Sequence, residues 1–278
     1  MSLTLTLRQP PPGRVSLAGI TPDRLAALSL AAIERLPLRW GRESLALGDL
    51  FRVGGSPDEH LVFEGGDRRF SELGAAMAAG TCELIGEGGD FLGRDMRGGR
   101  LVVRGSVERF AASGMAGGEL HIAGDAGDHL GAAPPWLAAG MRGGRVVVDG
   151  DVGSRCADKL RRGEIFVAGS AGSFCAARMV AGSVIVAGGI GPHAGYAMRR
   201  GTLLALGAAW SPPPTFVATV MCADAYLGLL WRDWVARFAA DSPFTGFARR
   251  AMAERLVPRR WMGDLGSGGR GEVFAFAA

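Results

Sequence analysis

The chain contains little lysine, tyrosine and cysteine, and it lacks any long apolar run. Lys159 is the only lysine among 31 basic residues, so an anion that meets this protein is met mainly by arginine guanidinium groups. No stretch reaches the roughly 18 apolar residues that a membrane helix needs, and the N-terminal region lacks the basic start and apolar core of a signal peptide. We therefore expect a cytoplasmic protein that binds neither membrane nor nucleic acid, since the net charge of +4 is modest.

Recognisable catalytic and metal-binding motifs are also missing. The sequence has no serine elbow, Walker loop, HExxH motif, paired carboxylate site or cofactor lysine. Its cysteines follow no metal-ligand spacing and fit small buried residues in a reducing compartment, with a disulfide or a metal as the alternative. These cysteines are Cys82, Cys156, Cys175 and Cys222. We predict no catalytic residue, no metal ligand and no cofactor bound by this chain alone.

A repeated unit occupies the middle of the chain, from Met77 to Gly207. Seven copies follow one another every 19 residues, except that one copy has 26. The copies open at Met77, Met96, Met115, Met141, Leu160, Met179 and Met198. Counted from the opening residue, positions 4 and 10 are always glycine and enclose a short apolar run, as in GGRLVVRG. Such a run between glycines predicts a strand with a sharp turn at each end.

The length of the repeat restricts the fold. A 19-residue period is too short for repeats of two helices, and the leucine and asparagine pattern of leucine-rich repeats is absent. We predict an all-β solenoid in which each copy is one coil and pairs in parallel with the next. Residues 1–55 would form an N-terminal strand and helix segment with a first, degenerate coil, residues 56–210 the repeats, and residues 211–278 a helical C-terminal cap and tail.

Alternation along each strand assigns its side chains to two faces. Positions 6 and 8 are apolar throughout and are predicted to form the core. Position 5 points outward and alternates arginine with glutamate from Arg100 to Glu164, which predicts a ladder of ion pairs or, alternatively, a solvated face.

Position 7 also points outward, yet most of its residues are apolar. They are Val102, Val147, Phe166, Ile185 and Leu204. An outward apolar column needs a cover, which could be the chain's own ends, a partner subunit or water. The seven-residue insertion in the third copy presents Trp136, a suitable anchor for a partner.

Position 2 carries a column of arginines that could bind a polyanionic carrier or an acidic partner, or form a solvated flank. The column consists of Arg97, Arg142, Arg161 and Arg199. Position 15 holds His129 and His193 where other copies have phenylalanine, which favours a ring-sized slot in the core over a metal site.

The glycine-bracketed repeats, the Gly-Asp pairs after some strands and the tail GDLGSGGRGEVF together resemble the C subunit of formylmethanofuran dehydrogenases. That family is similar to the glycine-repeat (GXGXG) domain of the glutamate synthase large subunit. The resemblance implies a right-handed parallel β-helix and a non-catalytic structural subunit of a formyl-transferring complex in one-carbon metabolism.

The complexes of this family differ in chemistry. The archaeal complex is redox-active and contains a tungsten or molybdenum pterin and iron–sulfur clusters. The bacterial relative, found in methylotrophs, is a formyltransferase/hydrolase complex that moves formyl from tetrahydromethanopterin to methanofuran or methylofuran and hydrolyses it to formate. The excess of arginine over lysine favours the bacterial form. Implied partners are an amidohydrolase-like catalytic subunit, a formyltransferase subunit and a subunit similar to the dehydrogenase B subunit, with any metals on those partners.

Two other functions fit the same repeats. The chain could be a spacer domain of a glutamate synthase-type amidotransferase, or a free-standing polyanion-binding β-solenoid.

Overall fold

The computed structural model of the protein describes residues 2–207, 210, 212–220 and 224–276. Its helices are α1 (Pro22–Leu25), α2 (Leu30–Glu34), α3 (Leu47–Leu50), α4 (Asp224–Arg237) and α5 (Pro243–Glu254). The strands before the repeats are β1 (Leu3–Leu7), β2 (Val15–Ser16), β3 (Pro37–Trp40), β4 (Glu43–Ala46), β5 (Phe51–Gly55), β6 (His60–Gly66) and β7 (Phe70–Ser71). None of the described helices is long and apolar enough to cross a membrane.

Each repeat contributes one strand. These strands are β8 (Thr81–Gly86), β9 (Arg100–Val103), β10 (Glu119–Ile122), β11 (Arg142–Val148), β12 (Arg162–Val167), β13 (Ser183–Val186) and β14 (Thr202–Ala205). Three strands follow the repeats: β15 (Val217–Thr219), β16 (Arg259–Gly263) and β17 (Gly271–Ala275). Most of the strands form one 13-stranded sheet in the order β15-β16-β17-β14-β13-β12-β11-β10-β9-β8-β6-β1-β5.

Successive repeats pair in parallel and in register, so residues at the same position become neighbours. His121, for example, lies between Val102 and Val147. Strands from all three predicted segments of the chain join this sheet, and the boundaries at residues 55 and 210 stay a prediction.

The prediction of an all-β solenoid, a parallel β-helix with a helical C-terminal cap, is wrong. The structure is an α/β arrangement, a 13-stranded and mostly parallel sheet with a few helices. Outside its one strand, each repeat pairs with the next through an isolated bridge, such as Gly88 with Val107 and Val107 with Ala126. The described residues around these bridges are mostly turns and bends and form no longer strand.

The predicted helical cap is also absent from the part of the chain that the structure describes, because α4 and α5 do not close the end of the repeats. Instead, β17 pairs in parallel with β14, and β16 and β15 follow in antiparallel order. The helices pack on the outward face of the sheet, in a cluster that contains Phe166, Ile185 and Leu204. Large apolar side chains on that face therefore determine where the helices lie.

The predicted core columns are confirmed. The position 6 and position 8 side chains of all seven repeats are at most 2% exposed. At the N-terminal end of the sheet, Phe51 packs against Phe63 and Phe70 with ring centroids 5.7 and 5.2 Å apart. A four-stranded sheet, β4-β3-β2-β7, flanks this end.

Position 11 links the repeats through side chains. Ser106 Oγ accepts a hydrogen bond from the backbone N–H of Asp125 at 3.0 Å. Asp125 Oδ1 accepts from Asp151 N at 2.8 Å, and Asp151 Oδ1 accepts from Ser170 N at 2.7 Å. Each side chain thus binds a backbone N–H group of the following repeat.

Replacing Asp151 with alanine is expected to lower the free energy of unfolding by about 1–2 kcal/mol, because the N–H of Ser170 loses a charged acceptor. Urea denaturation measures the change. Asp149→Ala is the control, since Asp149 is as exposed as Asp151 but contacts the side chain of His121 and, among the described residues, no backbone N–H. We expect less than about 0.5 kcal/mol there, and equal losses in the two variants would contradict the proposed role of position 11.

Candidate functional site

The outward face of the sheet is divided into a covered half and an open half. In the covered half, Phe166, Ile185 and Leu204 are at most 1% exposed. The Phe166 ring lies 5.5 Å from Trp234 of α4 and 5.1 Å from Phe244 of α5. Three of the five apolar residues predicted to contact a partner therefore contact the chain's own helices, and a partner would reach them only if the helices moved.

The open half lies over β8, β9 and β10, and a groove of about 750 Å³ borders it. One wall is the segment 237–243, which connects α4 to α5, and the floor includes His121 and Val147. Val102 continues the same column on the next strand and is 7% exposed. Val147 is half-buried and packs against the edge of the helix cluster, and Val102 is buried, so the open half exposes little of the apolar column.

Ion pairs fix the charged side chains around this groove. Arg145 contacts Glu119 at 3.0 Å and Glu164 at 3.1 Å, and Arg237 of α4 also contacts Glu164 at 3.1 Å. The predicted ion-pair ladder is confirmed around Arg145. Arg100 lines the groove but forms no ion pair with any residue that the structure describes.

Beside the Arg145 pairs, a histidine and a carboxylate meet in the groove. His121 Nε2 lies 2.8 Å from Asp149 Oδ2. With Arg100, this pair gives the groove hydrogen-bond donors and acceptors beside the half-buried Val147.

The predicted arginine column does not form one continuous track. Arg97, Arg161 and Arg199 are exposed. Arg142 is partly engaged, because it lies 3.7 Å from Asp95 and donates to the carbonyl oxygen of Gly114. Ala116 and Val180 occupy position 2 in two of the repeats and interrupt the column.

Further arginines extend the C-terminal part of this column, two of them evident from the sequence and one from the structure. Arg162 and Arg200 follow Arg161 and Arg199 in sequence and are also exposed. The backbone N–H of Arg270 donates to the carbonyl oxygen of Arg199 at 2.7 Å, which places β17 beside the last repeat. We call the resulting set, defined as Arg161, Arg162, Arg199, Arg200 and Arg270, the basic edge.

Position 15 forms a stack of planar side chains on another side of the molecule. Phe91 stacks on Phe110 at 5.1 Å, and Phe110 stacks on His129 at 4.5 Å. Further along, Phe174 stacks on His193 at 4.8 Å. Planar rings occupy position 15, as predicted, but the prediction that this slot lies in the core is wrong, because the rings are only half-buried and His193 is exposed.

Two further residues extend this stack. The Arg155 guanidinium lies 4.9 Å from the centre of the Phe174 ring. Trp136, in the insertion, lies 6.2 Å from Phe91 and is 69% exposed. The tryptophan is therefore held at the surface by an aromatic neighbour and remains accessible to a partner.

His129 is the polar member of this stack. Its Nδ1 is buried and has no hydrogen-bond partner among the described residues. Burial lowers the pKa of His129, and the positive charges of Arg155 and Arg109 add to this, against Asp128 and Asp158, which raise it. The neutral ring is therefore favoured in the folded chain.

We expect His129→Phe to stabilise the chain and to weaken its sensitivity to acid. The unfolded chain binds a proton at His129 more readily, so the stability that depends on the neutral ring is lost as the pH falls below about 6.5. Phenylalanine does not titrate, so this loss of stability at low pH disappears. It also removes the unpaired Nδ1, which should raise the free energy of unfolding by about 1 kcal/mol. Urea denaturation at pH 7.5 and 5.5 measures both effects. His193→Phe, the same exchange at an exposed position, controls for ring area, and an unchanged pH dependence in His129→Phe would contradict the interpretation.

The described cysteines are buried free thiols, as predicted for Cys82, Cys156 and Cys175. Burial raises the pKa of Cys82, and a hydrogen bond with Cys175, together with burial, raises the pKa of Cys156. Cys222 lies outside the described residues. Within the described ranges, no group of three or more histidine, cysteine or acidic side chains could hold a metal ion.

Comparison with known proteins links the chain to one family of complexes. No family model matches it. It is 41% identical over 89 residues to the C subunit of the formyltransferase/hydrolase complex Fhc of Methylorubrum extorquens, and the match covers 32% of this chain and 34%, about a third, of that curated relative.

A solved structure extends the match to nearly the whole chain. It is the X-ray crystal structure of the formyltransferase/hydrolase complex (FhcABCD) from Methylorubrum extorquens in complex with methylofuran. The match covers 99% of this chain and 100% of the chain in that complex, with a TM-score of 0.89 and 38% identity. On this full-length similarity and the name of the curated relative, the chain belongs to the family of C subunits of formyltransferase/hydrolase complexes.

Proposed function

We propose that this chain is a non-catalytic structural subunit of a cytoplasmic formyltransferase/hydrolase complex in one-carbon metabolism. In this function the complex transfers formyl from tetrahydromethanopterin to methanofuran or methylofuran and hydrolyses it to formate. The observation that carries the proposal is the similarity, over 99% of the chain, to one chain of such a complex. Both relatives come from formyltransferase/hydrolase complexes, which favours this function over a glutamate synthase-type spacer or a free-standing solenoid.

The roles of the polar side chains support a structural subunit. Asp125 and Asp151 bind backbone N–H groups of the following repeats. His129 stacks on an aromatic ring, and Arg145 joins two glutamates on neighbouring strands. These groups hold the repeats together, so we assign the chemistry and any metals to partner subunits.

We propose that the partners contact the open half of the sheet and the insertion. The groove and the half-buried Val147 at the edge of α4 and α5 offer a surface for a partner, whereas Val102 is buried beneath it. Trp136 offers an exposed aromatic anchor. The partners would be an amidohydrolase-like catalytic subunit, a formyltransferase subunit and a subunit similar to the dehydrogenase B subunit.

We also propose that the arginines of position 2, Arg97, Arg142, Arg161 and Arg199, contact anionic groups. These groups could belong to a furan carrier with a glutamate chain or to an acidic surface of a partner. Three of the four guanidinium groups are exposed and form no ion pair with a described carboxylate, so they are free to bind either.

Purification of a tagged chain from its native cells tests the function. We expect further subunits to co-purify with it, and we expect the assembly to transfer formyl to the furan carrier and to release formate. Cells that lack the chain should yield partner subunits with reduced assembly and reduced activity. A tagged chain that purifies as a lone monomer, or an assembly without formyl transfer, would refute the proposal.

A further inference from the structure

The basic edge stands out from the other charged surfaces because its positive charge is not neutralised nearby. Its five arginines are exposed, and none of them forms an ion pair with a described carboxylate. By contrast, the neighbouring Arg178 binds Asp158, and Arg260 binds Glu272.

The carboxylates that flank the basic edge are already engaged. Arg178 occupies the buried Asp158, and Arg145 and Arg237 occupy Glu164. Asp264 accepts hydrogen bonds from the backbone N–H groups of Ala197 and Gly266. The guanidinium groups of the basic edge therefore keep their full capacity for an external anion.

The backbone defines the spacing of these charges. Arg161 and Arg162 belong to one repeat, Val180 and Ala181 to the next, and Arg199 and Arg200 to the one after that. Because neighbouring strands lie about 4.8 Å apart, the two arginine pairs are separated by roughly 10 Å, and Arg270 adds another strand spacing. Two cationic rows thus enclose a small apolar strip.

We propose that the basic edge docks an acidic segment of a partner subunit. The segment would carry carboxylates roughly 10 Å apart, with an apolar residue between them that packs on Val180. This inference rests on the function proposed above and identifies the partner's chemistry at this surface. The proposed site comprises the basic edge, at the C-terminal part of the arginine column, and not all four arginines predicted at position 2.

The apolar strip favours a protein segment over a small polycarboxylate. A carrier with regularly spaced carboxylates gains most from a cation on every strand, whereas Val180 and Ala181 leave one strand without any. A protein segment alternates acidic and apolar side chains freely. Long arginine stems also bury apolar area in such an interface.

Charge reversal within the assembled complex tests the docking. We compare the variant Arg161→Glu/Arg162→Glu/Arg199→Glu/Arg200→Glu with a control in which four other exposed arginines are changed to glutamate. The control residues are Arg24, Arg35, Arg39 and Arg42. Both variants change the net charge by the same amount. A difference between them in partner binding therefore depends on where the changed residues lie.

The measurement is the amount of partner subunit that co-purifies with the tagged chain at moderate salt when the subunits are co-expressed. We expect the basic-edge variant to retain at least tenfold less partner than the unaltered chain. We expect the control variant to retain as much partner as the unaltered chain. Equal retention in both variants would overturn the proposal. Circular dichroism and thermal unfolding of each purified chain establish that the variants are folded.

A cross-linking experiment identifies the docked group directly. A photoreactive phenylalanine at position 180, in an otherwise unaltered chain, should cross-link within the complex to a peptide that contains two or more acidic residues. A cross-linked peptide without acidic residues, or no cross-link, would refute the inference.

If the charge-reversed chain assembles normally but no longer binds an oligoglutamate peptide, the surface is a polyanion site and the proposal fails. If the unaltered chain assembles with no partner at all, the proposed function itself fails.

Discussion

Replacement of Gly118 by alanine is expected to destabilise the chain by about 3 kcal/mol or more. Gly118 has φ +84°, a conformation that side chains rarely adopt, and a Cβ there would lie 2.7 Å from the carbonyl oxygen of Gly99. If that oxygen moved away, it would lose the hydrogen bond that it accepts from the N–H of Glu119 at 3.0 Å. The same contact recurs between repeats, so the strain falls on the pairing that holds the sheet together.

Gly228→Ala provides the matched control. Gly228 lies within α4, where an added Cβ would meet no atom of the described residues within 4 Å. Alanine favours a helix over glycine by up to about 1 kcal/mol, so this variant should be slightly more stable. Denaturation curves for both variants measure the difference. A Gly118→Ala protein as stable as Gly228→Ala would show that the repeats tolerate side chains at position 4.

Trp234→Ala is expected to release the two helices from the sheet. Trp234 is fully buried and meets the rings of Phe166, Trp231 and Phe244 edge to face. Its removal should cost about 3–5 kcal/mol, by loss of buried area and by the cavity that remains. Hydrogen exchange should become faster in α4 and α5 than in the sheet, and a dye that binds apolar surface should fluoresce as Phe166 becomes exposed.

Leu229→Ala on the same helix is the control for this prediction. Leu229 is 65% exposed, so its truncation removes little buried area and should change stability by less than about 0.5 kcal/mol. If Trp234→Ala loosened the helices and the sheet to the same extent, the two layers would form a single cooperative unit.

The repeats make part of the fold predictable from sequence. The 19-residue period, with the seven-residue insertion located in the third copy, is enough to predict that His121 lies between Val102 and Val147, because residues at equal positions in parallel strands are neighbours. The position of α4 and α5 is not predictable in the same way, since an apolar helix face fits the end of a sheet as well as its surface. A signal is present at position 7, where Phe166, Ile185 and Leu204 form an unbroken apolar run.

The residues of the candidate surfaces are likewise only partly predictable from the sequence. The arginines of position 2 are recognisable because they recur with the repeat, but Arg270 lies outside the repeats and joins them only through the pairing of β17 with β14. Pairing across so many intervening residues leaves no local pattern in the sequence. The engagement of Arg142 by Asp95 is hidden for a related reason, because the two residues lie in different repeats.

The pairing of β17 with β14 also affects biosynthesis. Each repeat can pair with the preceding repeat as soon as it leaves the ribosome. The free edge of β14, however, pairs with β17, which is synthesised only after residues 206–270. During that interval its edge presents unpaired N–H and C=O groups, the feature by which nascent chains join one another. Ribosome-bound chains that end before Gly271 should therefore recruit chaperones or aggregate, while chains that extend beyond Ala275 should not.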